Sequence, residues 1–243
     1  MTNWATLTHA YGSAADIPAM LDAVTPEPHT EAWNDLWSAV CHQGSVYSAS
    51  AAVLPQLRAM AQQWAPGDRL APLVLAGAIV ASRDPSPDFD IAPFRADVDA
   101  LAMLAMDAIT AARWSRVDFI YLLQAAMGLQ GHALWGGQLD RLADGEFHAV
   151  CNACDAELQV AIGEYGYFVT DEEWLDRPDT PRHAIEAAEA ASLTGIGARL
   201  HGLAHDADQP AVAHDLRHLF GHATCPACSQ RLSIADAIAK GDE

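Results

Sequence analysis

Phe147-His148-Ala149-Val150-Cys151-Asn152-Ala153-Cys154-Asp155-Ala156-Glu157-Leu158-Gln159-Val160-Ala161-Ile162-Gly163 is the segment at which the chain changes character. Upstream of it, apolar residues return every three or four positions. Within it, Phe147 to Val150 reads as extended, and Leu158, Val160 and Ile162 alternate. Gly163-Glu164 offers a turn, and Tyr165, Tyr167 and Val169 alternate again. Alternation on both sides of a turn predicts a β-hairpin. Cys151 and Cys154 stand immediately before it, and Cys225-Pro226-Ala227-Cys228 repeats their spacing after 70 intervening residues. Two residues between thiols let one tight turn aim both sulfurs at a single ion. A second such turn completes a four-sulfur tetrahedral site of the kind zinc prefers. Such a site is closed to water and substrate, so the expected Zn²⁺ is structural. Two pairs of free thiols or a redox dithiol are the competing readings, and neither explains why there are two matched pairs.

Residues 1–145 read as one helix after another. Ser13-Ala14-Ala15-Asp16 has the form of a capping box ahead of Ile17, Met20, Leu21 and Val24. Thr30 precedes a stripe of Trp33, Trp37, Val40 and Cys41, on which Cys41 is a small buried apolar residue. Leu54, Leu57, Ala61 and Trp64 form the next stripe, with Pro55 limiting where that helix begins. The run Leu70 to Val80 is about half the length of a bilayer crossing and reads as a buried core helix. After the loop Asp84-Pro85-Ser86-Pro87-Asp88 comes a long Ala-rich helix through Leu101, Leu104 and Ile109. Ser115 then caps a helix carrying Phe119, Leu122, Leu123, Ala126 and Met127. No segment before Phe147 alternates with period two. Short helices of similar length joined by polar turns suggest stacked helical hairpins, each burying its apolar face against its neighbours. A plain bundle satisfies the same periodicity. The fold class expected is therefore mostly α: an α-solenoid over residues 1–145, and a zinc-ribbon-like hairpin with further helices over residues 146–243.

Composition narrows the function classes. The chain has 243 residues, 32 acids against 13 bases, and a formal charge of −19. The excess is shared: 16 acids and 7 bases precede residue 147, and 16 acids and 6 bases follow. Binding nucleic acid or an anionic membrane requires Lys and Arg, so this composition argues against both. A basic protein partner suits it, because opposite charge speeds association. The first residues lack the basic start and apolar stretch of a secretory signal, and Cys-x-x-Cys pairs without one favour metal over disulfides. A cytoplasmic location is expected.

Eleven histidines offer a second chemistry. His201 and His205 are one helical turn apart, as are His214 and His218, and His222 continues the row. His214-Asp215-Leu216-Arg217-His218 imitates the metalloprotease pattern His-Glu-x-x-His. Asp215, however, is a methylene shorter than the Glu required, and Thr224 stands where a third His belongs. An accessory metal on these histidines, serving a metal-dependent hydrolase, is the alternative function. Solvent-facing or capping histidines are the plain one.

The patches His9-Ala10-Tyr11-Gly12-Ser13-Ala14-Ala15-Asp16-Ile17-Pro18 and His42-Gln43-Gly44-Ser45-Val46-Tyr47-Ser48-Ala49-Ser50 resemble bacterial, actinomycete-type HEAT-repeat-like proteins. Phe220-Gly221-His222-Ala223-Thr224-Cys225-Pro226-Ala227-Cys228 is similar to the C-terminal pattern of that group. The resemblance implies an α-solenoid and supports pairing the two Cys-x-x-Cys turns. It suggests a non-catalytic adaptor or immunity-like protein. Gly12 and Gly44 are expected to end helices. His9, Tyr11, His42, Gln43 and Tyr47 then gather near helix ends, where they satisfy carbonyls or receive a ligand.

Overall fold

The apolar run beginning at Leu70 folds as a helix, Leu70–Ala81, none of whose twelve residues is exposed. It is apolar on every face, so neighbours must cover it on every side. Pro72 falls in its first turn, where a missing N–H breaks no helical bond. The computed structural model describes residues 2–242. The chain forms two compact units, one ending at Leu139 and the other starting at Asp140.

In the first unit the helices are α1 (Ile17–Ala23), α2 (Glu31–Val40), α3 (Ser48–Ala52), α4 (Leu54–Gln63), α5 (Leu70–Ala81), α6 (Arg95–Ala111), α7 (Arg116–Leu129) and α8 (Ala133–Gln138). Helix α5 packs against α2, α4, α6, α7 and α8, and α4 also packs against α6. The closest approaches run through glycine. A Cβ on Gly77 of α5 would lie 2.5 Å from the Ala125 Cα of α7. One on Gly128 would lie 2.8 Å from the Gly77 carbonyl oxygen, and one on Gly136 of α8 would lie 2.5 Å from the Gly128 Cα. Three helices thus touch backbone to backbone, closer than any side chain permits.

The unit is not purely helical, contrary to expectation. Two-residue strands β1 (Thr8–His9) and β2 (Gly12–Ser13) form one hairpin. Strands β3 (Cys41–His42) and β4 (Ser45–Val46) form another, to which β5 (Asp84–Pro85) adds in parallel. Gly12 and Gly44 therefore belong to hairpin turns and end no helix. Gln43 and Gly44 have φ of 51° and 87°, the double positive φ of the two-residue turn that matches strand twist. Cys41 opens β3 and does not extend α2, though it is buried as expected. Ser13 makes no capping bond, and the predicted box is a 3-10 turn over Ala14–Asp16. Ser115 does cap α7, accepting from the Asp118 amide.

In the second unit, α9 (Arg141–Asp144) leads into four antiparallel strands in sequence order: β6 (Glu146–Val150), β7 (Glu157–Gly163), β8 (Gly166–Thr170) and β9 (His183–Ala184). Because α9 packs on β6 and β7, this unit begins before the expected boundary at residue 146. Helices α10 (Gly195–Asp206) and α11 (Pro210–Leu219) pair with each other. A second hairpin follows, β10 (His222–Thr224) and β11 (Arg231–Ser233), and α12 (Ile234–Gly241) then lies against β6. Ile185 follows β9 in extended chain, where Glu186 bridges to His222. Among the described residues no helix is long and apolar enough to cross a membrane.

The glycine contacts make a direct prediction. Gly77→Val should destabilise the protein by about 3 kcal/mol through overpacking, seen as a lower denaturant midpoint at unchanged slope. Gly137→Ala, where an added Cβ meets nothing within 4 Å, should be neutral or stabilising by up to about 1 kcal/mol.

Candidate metal centre and polar clusters

The two Cys-x-x-Cys segments are built alike. Val150 pairs with Glu157 across the first, and Thr224 with Arg231 across the second, so each closes a hairpin by the same number of residues. In the first, the Cys151 amide donates to the Ala156 carbonyl (2.9 Å) and the Asp155 amide to the Cys151 carbonyl (3.0 Å). In the second, the Cys225 amide donates to Gln230 (2.9 Å) and the Ser229 amide to Cys225 (3.0 Å). Asp155 and Ser229 both have φ of 60°, the left-handed residue that closes each turn. The turns also aim amides at sulfur. Cys151 Sγ accepts from Ala153 and Cys154, and Cys225 Sγ from Ala227 and Cys228.

These twin turns bring four sulfurs together. Cys151 to Cys228 and Cys154 to Cys225 are each 3.9 Å, and all four Sγ atoms lie within 4.8 Å of one another. A tetrahedron with metal–thiolate arms of about 2.3 Å has edges of about 3.8 Å, so the sulfurs fit around one ion. Cys151 and Cys225 are buried and Cys154 is exposed, so the centre sits at a surface. Burial opposes ionisation of Cys151, but the Ala153 and Cys154 amides outweigh it and bring the thiol to about 7. Cys225 is raised by its burial. Cys154 is raised by the neighbouring thiols against the pull of the Ala156 amide. One thiol is thus primed to lose its proton, and a bound cation would draw off the rest.

Lys240, the chain's single lysine, secures this centre. Helix α12 is close enough to β6 that a Cβ on Gly241 would meet the Ala149 Cα at 3.1 Å. From there Lys240 Nζ donates to the Cys151 carbonyl (3.0 Å) and pairs with Asp155. Its charge faces a centre that, with four thiolates and a divalent ion, carries −2.

The histidines sort into different places. Among the described residues, no set of three or more His, Cys, Asp or Glu other than the four cysteines brings its ligand atoms within 4.8 Å. His214 and His218 pack on Tyr167 of β8, His218 stacked at 3.9 Å and His214 edge-on at 5.2 Å. His218 Nδ1 donates to the His214 carbonyl (3.1 Å), and Asp215 is buried and accepts from the Tyr167 hydroxyl (2.8 Å). The protease-like sequence is therefore an anchor of α11 on the sheet. His222 leaves the supposed row altogether, since α11 ends at Leu219 and His222 begins β10. His201 and His205 line an open groove of about 430 Å³ with His214 and Arg217. Burial, followed by the charges of Arg217 and His205, lowers the pKa of His201.

In the first unit, His9, Tyr11 and His42 come together. The Tyr11 amide donates to His9 Nδ1 (3.0 Å), which leaves Nε2 to donate to Asp16 (3.0 Å). His9 is buried with both nitrogens engaged. The Tyr11 hydroxyl meets His42 Nδ1 at 3.2 Å, yet Tyr11 remains 66% exposed. Tyr47 contributes its backbone, donating to the buried Ser50 hydroxyl at the start of α3 (2.7 Å). Gln43 serves the hairpin turn. The sequence reading passed over Asp88, which accepts from the hydroxyls of Ser86 (2.6 Å) and Thr8 (2.9 Å). The hydroxyls of Ser86, Ser48 and Thr8 hold its carboxyl at about 2. The only signal for it was a Pro-flanked Ser-Pro-Asp loop.

Comparisons with protein-family models, curated proteins and solved structures give no significant match to the chain.

Two outcomes follow from this geometry. Cys225→Ser should abolish tight metal binding, and Lys240→Met should weaken it by about tenfold, as loss of a supporting partner does; metal content against a graded chelator checks both. His218, whose pKa is lowered chiefly by burial, takes up its proton at lower pH in the fold than in the unfolded chain, which protonates near 6.5. It costs nothing above that pH and destabilises the fold progressively below it. His218→Phe should flatten the fall in stability as pH drops below about 6.5, by at most about 1.4 kcal/mol per pH unit, measured by denaturation at stepped pH.

Proposed function

We propose that this protein is a non-catalytic binding module for a basic protein partner, in the manner of an adaptor or immunity-like protein, and that its four-cysteine centre holds a structural Zn²⁺. The observation that carries the reading is where the bases are engaged. Arg58 pairs with Asp97 and Arg69 with Asp107, Lys240 supports the metal centre, and Arg217 donates to the Ala188 carbonyl. Arg177 and Arg182 lie over the rings of Trp174 and Phe168. With so many of the few bases committed inside the chain, the surplus carboxylates set the field that an approaching molecule meets.

The adaptor reading is supported by the HEAT-like resemblance of the His9–Pro18 and His42–Ser50 patches, while the helices of the first unit gather around α5. Zinc is favoured by the donor set, since soft thiolates in a tetrahedron select it among common divalent ions. With all four positions filled by cysteine, that ion stabilises and does not turn over substrate.

Affinity purification from the native host at about 50 and 500 mM salt, with proteins identified by mass spectrometry, tests the reading. A basic protein retained at low salt and released at high salt is expected. A specific partner that is acidic, or held equally at both salts, would overturn it.

A further inference from the structure

The first unit holds a cavity that neither the metal centre nor the His9–Tyr11–His42 cluster explains. It lies between α2, α5 and α7, has a volume of about 100 Å³, and is walled by Trp33, Trp37, Tyr121, Leu70 and Val74. Two features make it a preformed site and not a loose seam. Trp33 is fixed, because its Nε1 donates to the Thr25 carbonyl (3.0 Å) and its ring stands edge-on to Trp64 at 6.2 Å. At the rim, His29 is held in a left-handed conformation, φ 62°, that a non-glycine residue rarely adopts. Its Nε2 lies 3.3 Å from Asp118 Oδ1 at the start of α7. An uncommon backbone state at the rim of a rigid cavity, with an exposed ring resting on a carboxylate, is the kind of outlier from which function is inferred.

We propose that this cavity binds a methylated ammonium group. Three aromatic side chains line it, and an aromatic face attracts a cation without a formal charge inside the pocket. Asp118 stands behind the rim, 3.3 Å from Nε2 of the lining residue His29, and the chain's charge of −19 raises the local concentration of cations. The space is smaller than the ~150 Å³ apolar cavity that admits benzene, which suits a compact head group. Methylation is favoured by how few acceptors the lining side chains offer. A primary ammonium or a guanidinium brings several N–H donors that must keep acceptors when desolvated. Of the lining side chains, Asn34, His29 and Tyr121 alone carry a nitrogen or oxygen acceptor. A quaternary ammonium has no N–H to satisfy and sheds its water at lower cost. This proposal stands apart from the binding-module reading and does not need its partner.

Choline chloride, its neutral isostere 3,3-dimethylbutan-1-ol and n-butylamine are the probes, titrated into the full chain while the Trp33 and Trp37 indole N–H signals are followed by NMR. Choline should bind at least tenfold more tightly than either of the others. Trp37→Leu should weaken choline at least tenfold while leaving the isostere within about threefold. Asp118→Asn, which keeps the side-chain shape if Trp37→Leu fails to fold, should weaken choline several-fold and leave the isostere unchanged. Equal binding of choline and the isostere would reduce the site to a plain apolar pocket and overturn the proposal. So would tighter binding of n-butylamine, or no indole shift with any probe.

Discussion

Four sulfur atoms within 4.8 Å of one another are the constraint on which the second unit depends. As thiolates they repel, and as thiols they gain little from the proximity, so the arrangement suits a cation among them. The two turns that carry them belong to hairpins far apart in sequence. Joining the turns ties β6–β7 to β10–β11, and the chain between must fold back to allow it. The sheet, the α10–α11 pair and α12 are the means by which it does so. Tyr167 anchors α11 through His214, His218 and Asp215, and Lys240 brings the last helix onto the first turn. A metal bound by the four sulfurs would couple its binding to the folding of this unit.

The first unit rests on a different constraint, the absence of side chains where α5, α7 and α8 meet. Gly77, Gly128 and Gly136 let the backbones touch, and the apolar α5 disappears among its neighbours. The two small hairpins and the Asp84–Asp88 loop lie at the ends of these helices. There, hydroxyls from Thr8, Ser48 and Ser86 converge on Asp88. Local polar bonds finish what the apolar packing begins.

Much of this was legible before any coordinates. The α5 run announced burial because it lacked a polar face. The Cys-x-x-Cys spacing announced that four sulfurs would meet, because few other uses need two such pairs. The β7–β8 hairpin showed its alternation over enough residues to be counted. What escaped did so for physical reasons. Strands of two residues are too short to display a period. The β10–β11 hairpin was hidden by histidines that continue a helical spacing past the end of α11. The partners of Gly77 depend on which helices become neighbours, which spacing within one helix does not contain. Trp33 and Trp37 read as core on a stripe, and only the packed structure shows that they leave a cavity between them.

The central claim is that all four cysteines ligate one structural zinc. Zinc-edge X-ray absorption on the protein purified without added metal tests it most directly. The account predicts one zinc per chain in a single shell of four sulfurs at about 2.3 Å. A shell mixing sulfur with nitrogen or oxygen, or a metal-free protein with its cysteines oxidised to disulfides, would contradict it.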